Sequence, residues 1–501
     1  MLKRGADYLA GLRDGRIIYI GGERVDDVTT HPGFRNAARS YAAIFDARFD
    51  ERYRDILVGE EGGEPCATYF VRPRSRTDLV RRTRACEVIA ELTYGMMGRS
   101  PDFVASYMVG AAMQPDVFDS GNCRFSAHVT AFYDYCRRND VFLCNAATPP
   151  QGTRGKEATQ QQGTTRGPSL AVVAEDDTGI TISGIKMLAT SAAFCDEIWI
   201  GNIVPLAAGH ESESITCVVR PNATGLCLWS RKPYERYAVS EFDNYLSYHF
   251  DESDCIVVCN KVKVPWERVF VHNDIELSRE IYFKTPAHTL ANHQAGVRYA
   301  AKMKLLLGLA RRITRTSGTD GVPAVADELG HLAALYGMMK GMIQGQIQDC
   351  EELGNGYVNY NRQYMYASIY FATQNYEQIC AKLRELSGGG ALQMPADISV
   401  LDNPVTGKLF EDLWQTRSQS AIERFKLFKL AWDLLGTDFA GRHQQYERFY
   451  MGPAFVVRSH NSRECEWSAI DDYVASLLDR IKPGPILDRG REEIGVEKFP
   501  R

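Results

Sequence analysis

The stretch from Val141 to Asn202 limits what this chain can fold into more than any other. An apolar run at 141–144 enters a loop holding Thr148, Pro149, Pro150, Gln151 and Arg154, followed by a polar, glycine-bearing excursion. Two strand-like runs come next, 170–174 and 180–185, hinged at Asp176-Asp177-Thr178-Gly179, and the residues 188–192 precede a third at 197–200. Short strands with Thr, Ser, Gln and backbone amides at their edges suit a neutral heteroaromatic ring, which needs a flat apolar slot and few hydrogen bonds. An ordinary antiparallel β-domain gives the same pattern.

Period-two spacing and β-branched residues continue to about residue 272, where 214–219, 227–229, a run from Ala238, 255–259 and 261–264 read as strands. The flanks read as helix. Before the β-stretch, 36–45, 79–97, 101–112 and 125–137 carry helical spacing, and Ser100-Pro101-Asp102 supplies an N-cap, a proline at the first helical position and an acid at the dipole. After it, 293–318, 322–353, 357–386 and 409–435 predict four long amphipathic helices, hence a bundle. A chain of 501 residues exceeds one hydrophobic core, so two or three subdomains are expected, and the pattern along the chain divides into three. These are an N-terminal helical domain over 1–140, a central antiparallel β-barrel or sandwich over 141–275, and a C-terminal four-helix bundle with a terminal arm over 276–501. The class is α+β.

A formal net charge of −5 without a long basic run argues against general nucleic-acid binding. No signal-peptide core and no membrane-length apolar run is found, and thirteen scattered cysteines read as reduced thiols of a cytoplasmic protein. Cys255 and Cys259 lack a second pair for zinc and read as core. No metal site is expected. Dinucleotide and P-loop fingerprints, HExxH and GxSxG are all absent, so a bound cofactor or dispersed residues must carry any chemistry.

Several segments in order resemble the 4-hydroxyphenylacetate 3-monooxygenase large-component family. They are Tyr8-Leu9 with 12–16 and 22–32, Arg99-Ser100-Pro101-Asp102, Pro149-Pro150-Gln151, 184–190, 264–269, and 436–443 with Gln445-Tyr446-Glu447. The resemblance implies an acyl-CoA dehydrogenase-like fold and use of FADH2 from a separate NAD(P)H-dependent flavin reductase. It also implies O2 activation through a C4a-hydroperoxyflavin, ortho-hydroxylation or substituent displacement on a phenol, and a homotetramer. By analogy Thr190 lies beside the flavin N5, and Asn145, Gln151, Gly152, Thr153, Arg154 and the Gly452-Pro453-Ala454 turn hold FAD. Arg99 is the expected substrate arginine and His293 the expected base, with His288 in reserve. Ser100, Phe103, Asn145 and Asn202 complete the substrate side.

Two departures bear on the substrate. Phe103 stands where the hydroxyphenylacetate enzymes carry tyrosine, and Asn145 where many carry histidine, so 4-hydroxyphenylacetate itself is in doubt. The alternatives are an acyl-CoA dehydrogenase- or dehydratase-type flavoenzyme and an inactive flavin-binding protein. The dehydratases need cluster-ligating cysteines, and none falls between Cys259 and Cys350.

Overall fold

A computed structural model of the chain describes residues 2–119, 121, 123–151, 169–416, 419–481 and 483–484. Two open sheets form its centre: a six-stranded and a four-stranded one. The long strands Gly179–Thr190 and Asp254–Pro265 pair antiparallel through the middle of the larger sheet. Their inward positions are filled by Ile180, Ile182, Val257, Val262 and Val264, all buried, which is the period-two pattern expressed as a core face. Lys261, at φ +55°, joins two runs that read separately in sequence into this one bulged strand. The run from Ala238 is not a strand. It leads instead into the short helix Tyr245–His249, whose first amides bond to the buried Asp433 carboxylate.

The N-terminal region is mainly helical, but Ile18–Ile20 and Glu23–Val25 form a hairpin that extends the larger sheet by parallel pairing with Leu226–Ser230. The smaller sheet includes Leu143–Ala146 and Glu197–Ile200 in parallel, with Asn145 opposite Trp199. Against it packs the helix Pro101–Met113, buried along its whole length. Such a helix, apolar all round, belongs inside the molecule, and it carries the residues next to Arg99 into the interior.

The C-terminal part is built on Ala287–Thr316, Pro323–Gln348 and Arg362–Ser387. The fourth expected helix is interrupted. Residues 409–435 divide between Pro404–Trp414 and Ala421–Leu435, because Asn403 and Ser420 each cap a new start with a side-chain bond to the backbone. Helices, two central sheets and further helices thus follow one another along the chain in the order expected from the sequence. Among the described residues no helix is long and apolar enough to cross a membrane. Beyond the bundle, Trp467–Leu478 buries none of its side chains.

Candidate active site

Arg99 sits one residue before the cap of the buried helix. Its guanidinium lies between two aromatic faces, 3.9 Å from the Phe103 centroid and 4.0 Å from that of Tyr450. Nη2 donates to the Tyr450 carbonyl at 3.2 Å, while Nη1 is buried without a partner among the described residues. Among the described residues no carboxylate pairs with this guanidinium. Glu252 accepts instead from the Arg99 backbone N–H at 2.9 Å and from Arg442 Nη1 at 2.9 Å. A cation held by stacking, with a spare N–H and no counter-charge, is arranged to receive an anion from outside the chain.

Gly98 is required here: a Cβ would fall 2.3 Å from the Tyr446 hydroxyl oxygen. The Tyr450 hydroxyl also donates to the Gly98 carbonyl at 2.8 Å. The C-terminal helices thereby close directly over the Arg99 backbone. Tyr450 leads into the Gly452-Pro453-Ala454 turn, half-buried, with Gly452 at φ +94°.

Thr190 ends the strand Gly179–Thr190 and lies on the other side of the same assembly. A register shift opposite Cys255–Val257 places a bulge just before it, and Leu188 and Ser191 on either flank take φ values of +57° and +69°. Its hydroxyl donates to Asp254 Oδ1 at 2.6 Å. Asp254 also accepts from Arg442 at 2.7 and 3.0 Å and from Arg231 at 2.7 Å. Burial opposes its ionisation, but the two guanidiniums hold its carboxyl well below the usual range. The Thr190 proton is therefore committed, and the hydroxyl can only accept a further hydrogen bond. Ser191 links the two sides by donating to the Arg99 carbonyl at 3.1 Å.

Along the helix from Arg99 runs an apolar wall. Phe103 meets Tyr107 edge-on at 5.5 Å and Tyr107 meets Tyr282 at 5.8 Å, with Tyr282 accepting from the Trp199 indole at 3.4 Å. Asn145 shares the sheet face of Trp199 and is half-buried, and its amide makes no hydrogen bond among the described residues.

Arg99, Phe103, Asn145, Thr190 and the Gly452–Ala454 turn are thus gathered around one region. Other expected residues are not free to act there. His293 is a core residue: Nε2 meets Thr83 Oγ1 at 2.9 Å, Nδ1 meets Gln346 Oε1 at 2.7 Å, and the ring stacks on Tyr360 at 3.5 Å. Burial lowers its pKa to about 3, and with both nitrogens occupied it cannot serve as the base. Asn202 is saturated by Lys186 at 2.7 Å and by the carbonyls of Glu213 and Ile215, so its amide is unavailable to a substrate. Ser100 does not cap its helix with its side chain. Its hydroxyl donates to Asp102 at 2.5 Å and accepts from Gln294 at 3.1 Å. His288 meets the Tyr366 hydroxyl at 2.7 Å, and burial with nearby His460 and Arg463 lowers its pKa to about 3. It stands beyond Gly110, at the opposite end of the helix from Arg99. Gln151 is exposed, and Gly152, Thr153 and Arg154 lie outside the described residues.

The sequence reading passed over Tyr107, Glu252, Asp254, Arg442 and Tyr450. Tyr107 was open to discovery, one helical turn beyond Phe103 and on its face. The others reach the site only through long-range packing.

Models described as the N- and C-terminal parts of 4-hydroxyphenylacetate 3-hydroxylase match residues 4–271 and 278–479. The pyoverdin chromophore biosynthetic protein PvcC of Pseudomonas aeruginosa is 32% identical over 461 residues, covering 91% of this chain and 90% of that protein. The oxygenase component of 4-nitrophenol 2-monooxygenase from a Rhodococcus species is 31% identical, covering 91% and 87%. The crystal structure of the oxygenase component (HpaB) of 4-hydroxyphenylacetate 3-monooxygenase, complexed with FAD, superposes with a TM-score of 0.89 at 29% identity, covering 95% and 98%. By sequence along nearly its whole length and by fold, the chain belongs to the 4-hydroxyphenylacetate 3-hydroxylase family.

Proposed function

We propose that this chain is the oxygenase component of a two-component, FADH2-dependent monooxygenase that hydroxylates a phenol beside its hydroxyl group or displaces a substituent there. The observation that carries the reading is the Arg99 guanidinium, stacked between Phe103 and Tyr450 with a buried, unpartnered Nη1. A phenol oxygen placed on that N–H is favoured as phenolate, which enriches the adjacent ring carbon in electrons. With His293 bound into the core, this electrostatic stabilisation takes the place of a general base. Phe103, Tyr107 and Tyr282 supply the apolar surface that keeps water from the ring.

The residues present fit a flavin. Thr190, restricted to accepting, matches the N–H that N5 carries in reduced FAD, and Asn145, Gln151–Arg154 and the Gly452–Ala454 turn are its further holders. Reduced FAD, when bound, supplies the electrons that activate O2 and deliver one oxygen atom to the ring. The missing dinucleotide fingerprint supports a separate NAD(P)H:flavin reductase as its source. A homotetramer is supported by the exposed Trp467, Ile470, Val474 and Leu477 of the terminal helix, an apolar stripe suited to burial between subunits. Thirteen free thiols support a cytoplasmic setting. Dehydrogenation is disfavoured because Glu252 and Asp254, the carboxylates touching Arg99 and Thr190, are both paired with Arg442.

The test is a single-turnover reaction of protein, reduced FAD and 4-nitrophenol with O2, read as hydroxylated product per flavin. Product should form with the native chain and fall about 10- to 30-fold in Arg99→Met, the loss of a charge-assisted contact. Equal product from the variant, or none from either protein across a panel of phenols, overturns the reading.

A further inference from the structure

We infer that Leu188 packs against the face of the flavin ring that Thr190 receives, and that a strained backbone turns its side chain outward for this purpose. This rests on the flavin reading above. In the long antiparallel pair of the larger sheet, Ala189 faces Cys255 and Lys186 faces Val257. Met187 and Leu188 together therefore oppose the single residue Ile256, and at this bulge Leu188 takes φ +57°. The left-handed conformation suits glycine, which has no Cβ to clash with the backbone, and is costly for a branched aliphatic residue. Burial does not offset the cost, because Leu188 is 67% exposed.

Other non-glycine residues with positive φ gain contacts within the fold. Asp140 pairs with the buried Arg48, Ser253 shares a hydrogen bond with Ser230 at 2.9 Å, and Tyr94 sets its ring edge-on against Phe250 at 6.1 Å. Glycine at position 188 would form the same bulge without strain, so the free chain gains nothing from leucine there. A local outlier of this kind points to a partner outside the chain. Its position selects the flavin. Just before it, Met187 donates its N–H to the Thr148 carbonyl at 2.8 Å, which ties the strand to the segment leading into Pro149, Pro150 and Gln151. Two residues after it, no more than about 7 Å along the strand, comes Thr190 with its hydroxyl confined to accepting. Leu188 thus lies between two groups of residues assigned to FAD, within the span of a three-ring heteroaromatic system. The ring offers a flat apolar face, which an aliphatic chain covers without competing for the hydrogen bonds at its edge.

The experiment compares the full-length chain with Leu188→Gly and Leu188→Met by anaerobic titration with reduced FAD, titration with oxidised FAD, and thermal denaturation without flavin. Leu188→Gly should weaken both redox forms about tenfold, the loss of part of a leucine's buried surface. The two forms respond alike because an apolar contact with the ring face does not depend on the hydrogen at N5. Leu188→Met keeps an apolar chain and should stay within about threefold of the native affinity. Without flavin, the denaturation midpoint of Leu188→Gly should hold or rise by about 1–2 °C, since relief of left-handed strain opposes the added freedom of the unfolded chain. A purely structural role predicts the reverse, so a midpoint lowered by several degrees overturns the inference. FAD binding in Leu188→Gly as tight as in the native chain overturns it too. So does dissociation of subunits in that variant by light scattering, which would place the side chain in a subunit contact. Failure of the flavin reading looks different, since the native chain would then bind neither form of FAD.

Discussion

Replacing Arg99 by methionine keeps a long, stackable side chain between Phe103 and Tyr450 while removing the charge and the spare Nη1 hydrogen. The consequence follows from Coulomb's law. A unit charge about 4 Å from a phenolate at an effective dielectric near 20 is worth about 4 kcal/mol. Arg99 is half-buried, so solvent screening reduces this to about 1.5–2 kcal/mol. At about 1.4 kcal/mol per pKa unit, a bound phenol should ionise about one unit or more below its solution value. The sign is fixed: a cation stabilises the deprotonated form, so the native site lowers the pKa and the methionine variant returns it to or above the solution value. 4-Nitrophenol reports this directly, because its phenolate absorbs in the visible and its phenol does not. Titration of the bound ligand should show phenolate persisting to lower pH with the native chain than with Arg99→Met. Coincident titration curves would refute the role given to this guanidinium, and so would a raised pKa in the native site.

Thr190→Val should weaken reduced FAD about tenfold and oxidised FAD much less, measured as separate binding constants. The hydroxyl, its proton given to Asp254, can only accept from an N–H that the oxidised ring lacks at N5. Lowering the pH from 6.5 to 5 should cost about 2 kcal/mol of stability through His293. Its folded pKa is depressed to about 3, so the unfolded chain binds more protons between those values and stability is lost as pH falls. His293→Gln should flatten the pH dependence of the denaturation midpoint in that window. Glu447→Gln should destabilise the chain by about 3–5 kcal/mol in denaturant unfolding, because it leaves Arg298 and Lys302, both at most 2% exposed, without their shared carboxylate.

Local chemistry explains which elements were legible in the sequence. The start at Ser100-Pro101-Asp102 announced the helix Pro101–Met113, and period-two spacing announced the strands that make the core of the β-domain. The break before Ala421 was missed although Ser420 is a serviceable cap, because apolar spacing runs on across it. The hairpin at Ile18–Val25 was missed for a different reason: its strands are three residues each, and their partner lies some two hundred positions away. His293 shows the same limit at a single residue. Its neighbours in sequence gave it the look of a base at a helix start, but its hydrogen-bond partners are 53 and 210 residues distant. Arg99 was legible only through the family resemblance of the segment Arg99-Ser100-Pro101-Asp102, and its missing partner is seen only in the structure.

An unpartnered polar atom does not by itself mark a site, and the contrast among the arginines shows what does. Nε of Arg82, Arg137 and Arg298 is also buried without a partner. Arg298 nonetheless pairs with Glu447 and Arg137 with Glu64, while Arg82 donates to the Tyr69 and Val71 carbonyls and to Ser106. Arg298 and Arg137 are thus neutralised by carboxylates, and both Arg82 terminal nitrogens are taken up by acceptors within the fold, whereas Arg99 keeps a terminal nitrogen with no acceptor among the described residues. Around Arg99 the available carboxylates are spent elsewhere: Asp251 and Asp254 on Arg231, Glu252 and Asp254 on Arg442. Arg442 comes from the helix Asp438–Phe449 and binds both the residue that holds the Arg99 backbone and the residue that takes the Thr190 proton. Docking of the C-terminal helices therefore neutralises the surrounding acids and leaves the Arg99 charge uncompensated. The same contact orients Thr190, so the phenolate site and the acceptor for reduced flavin are completed together.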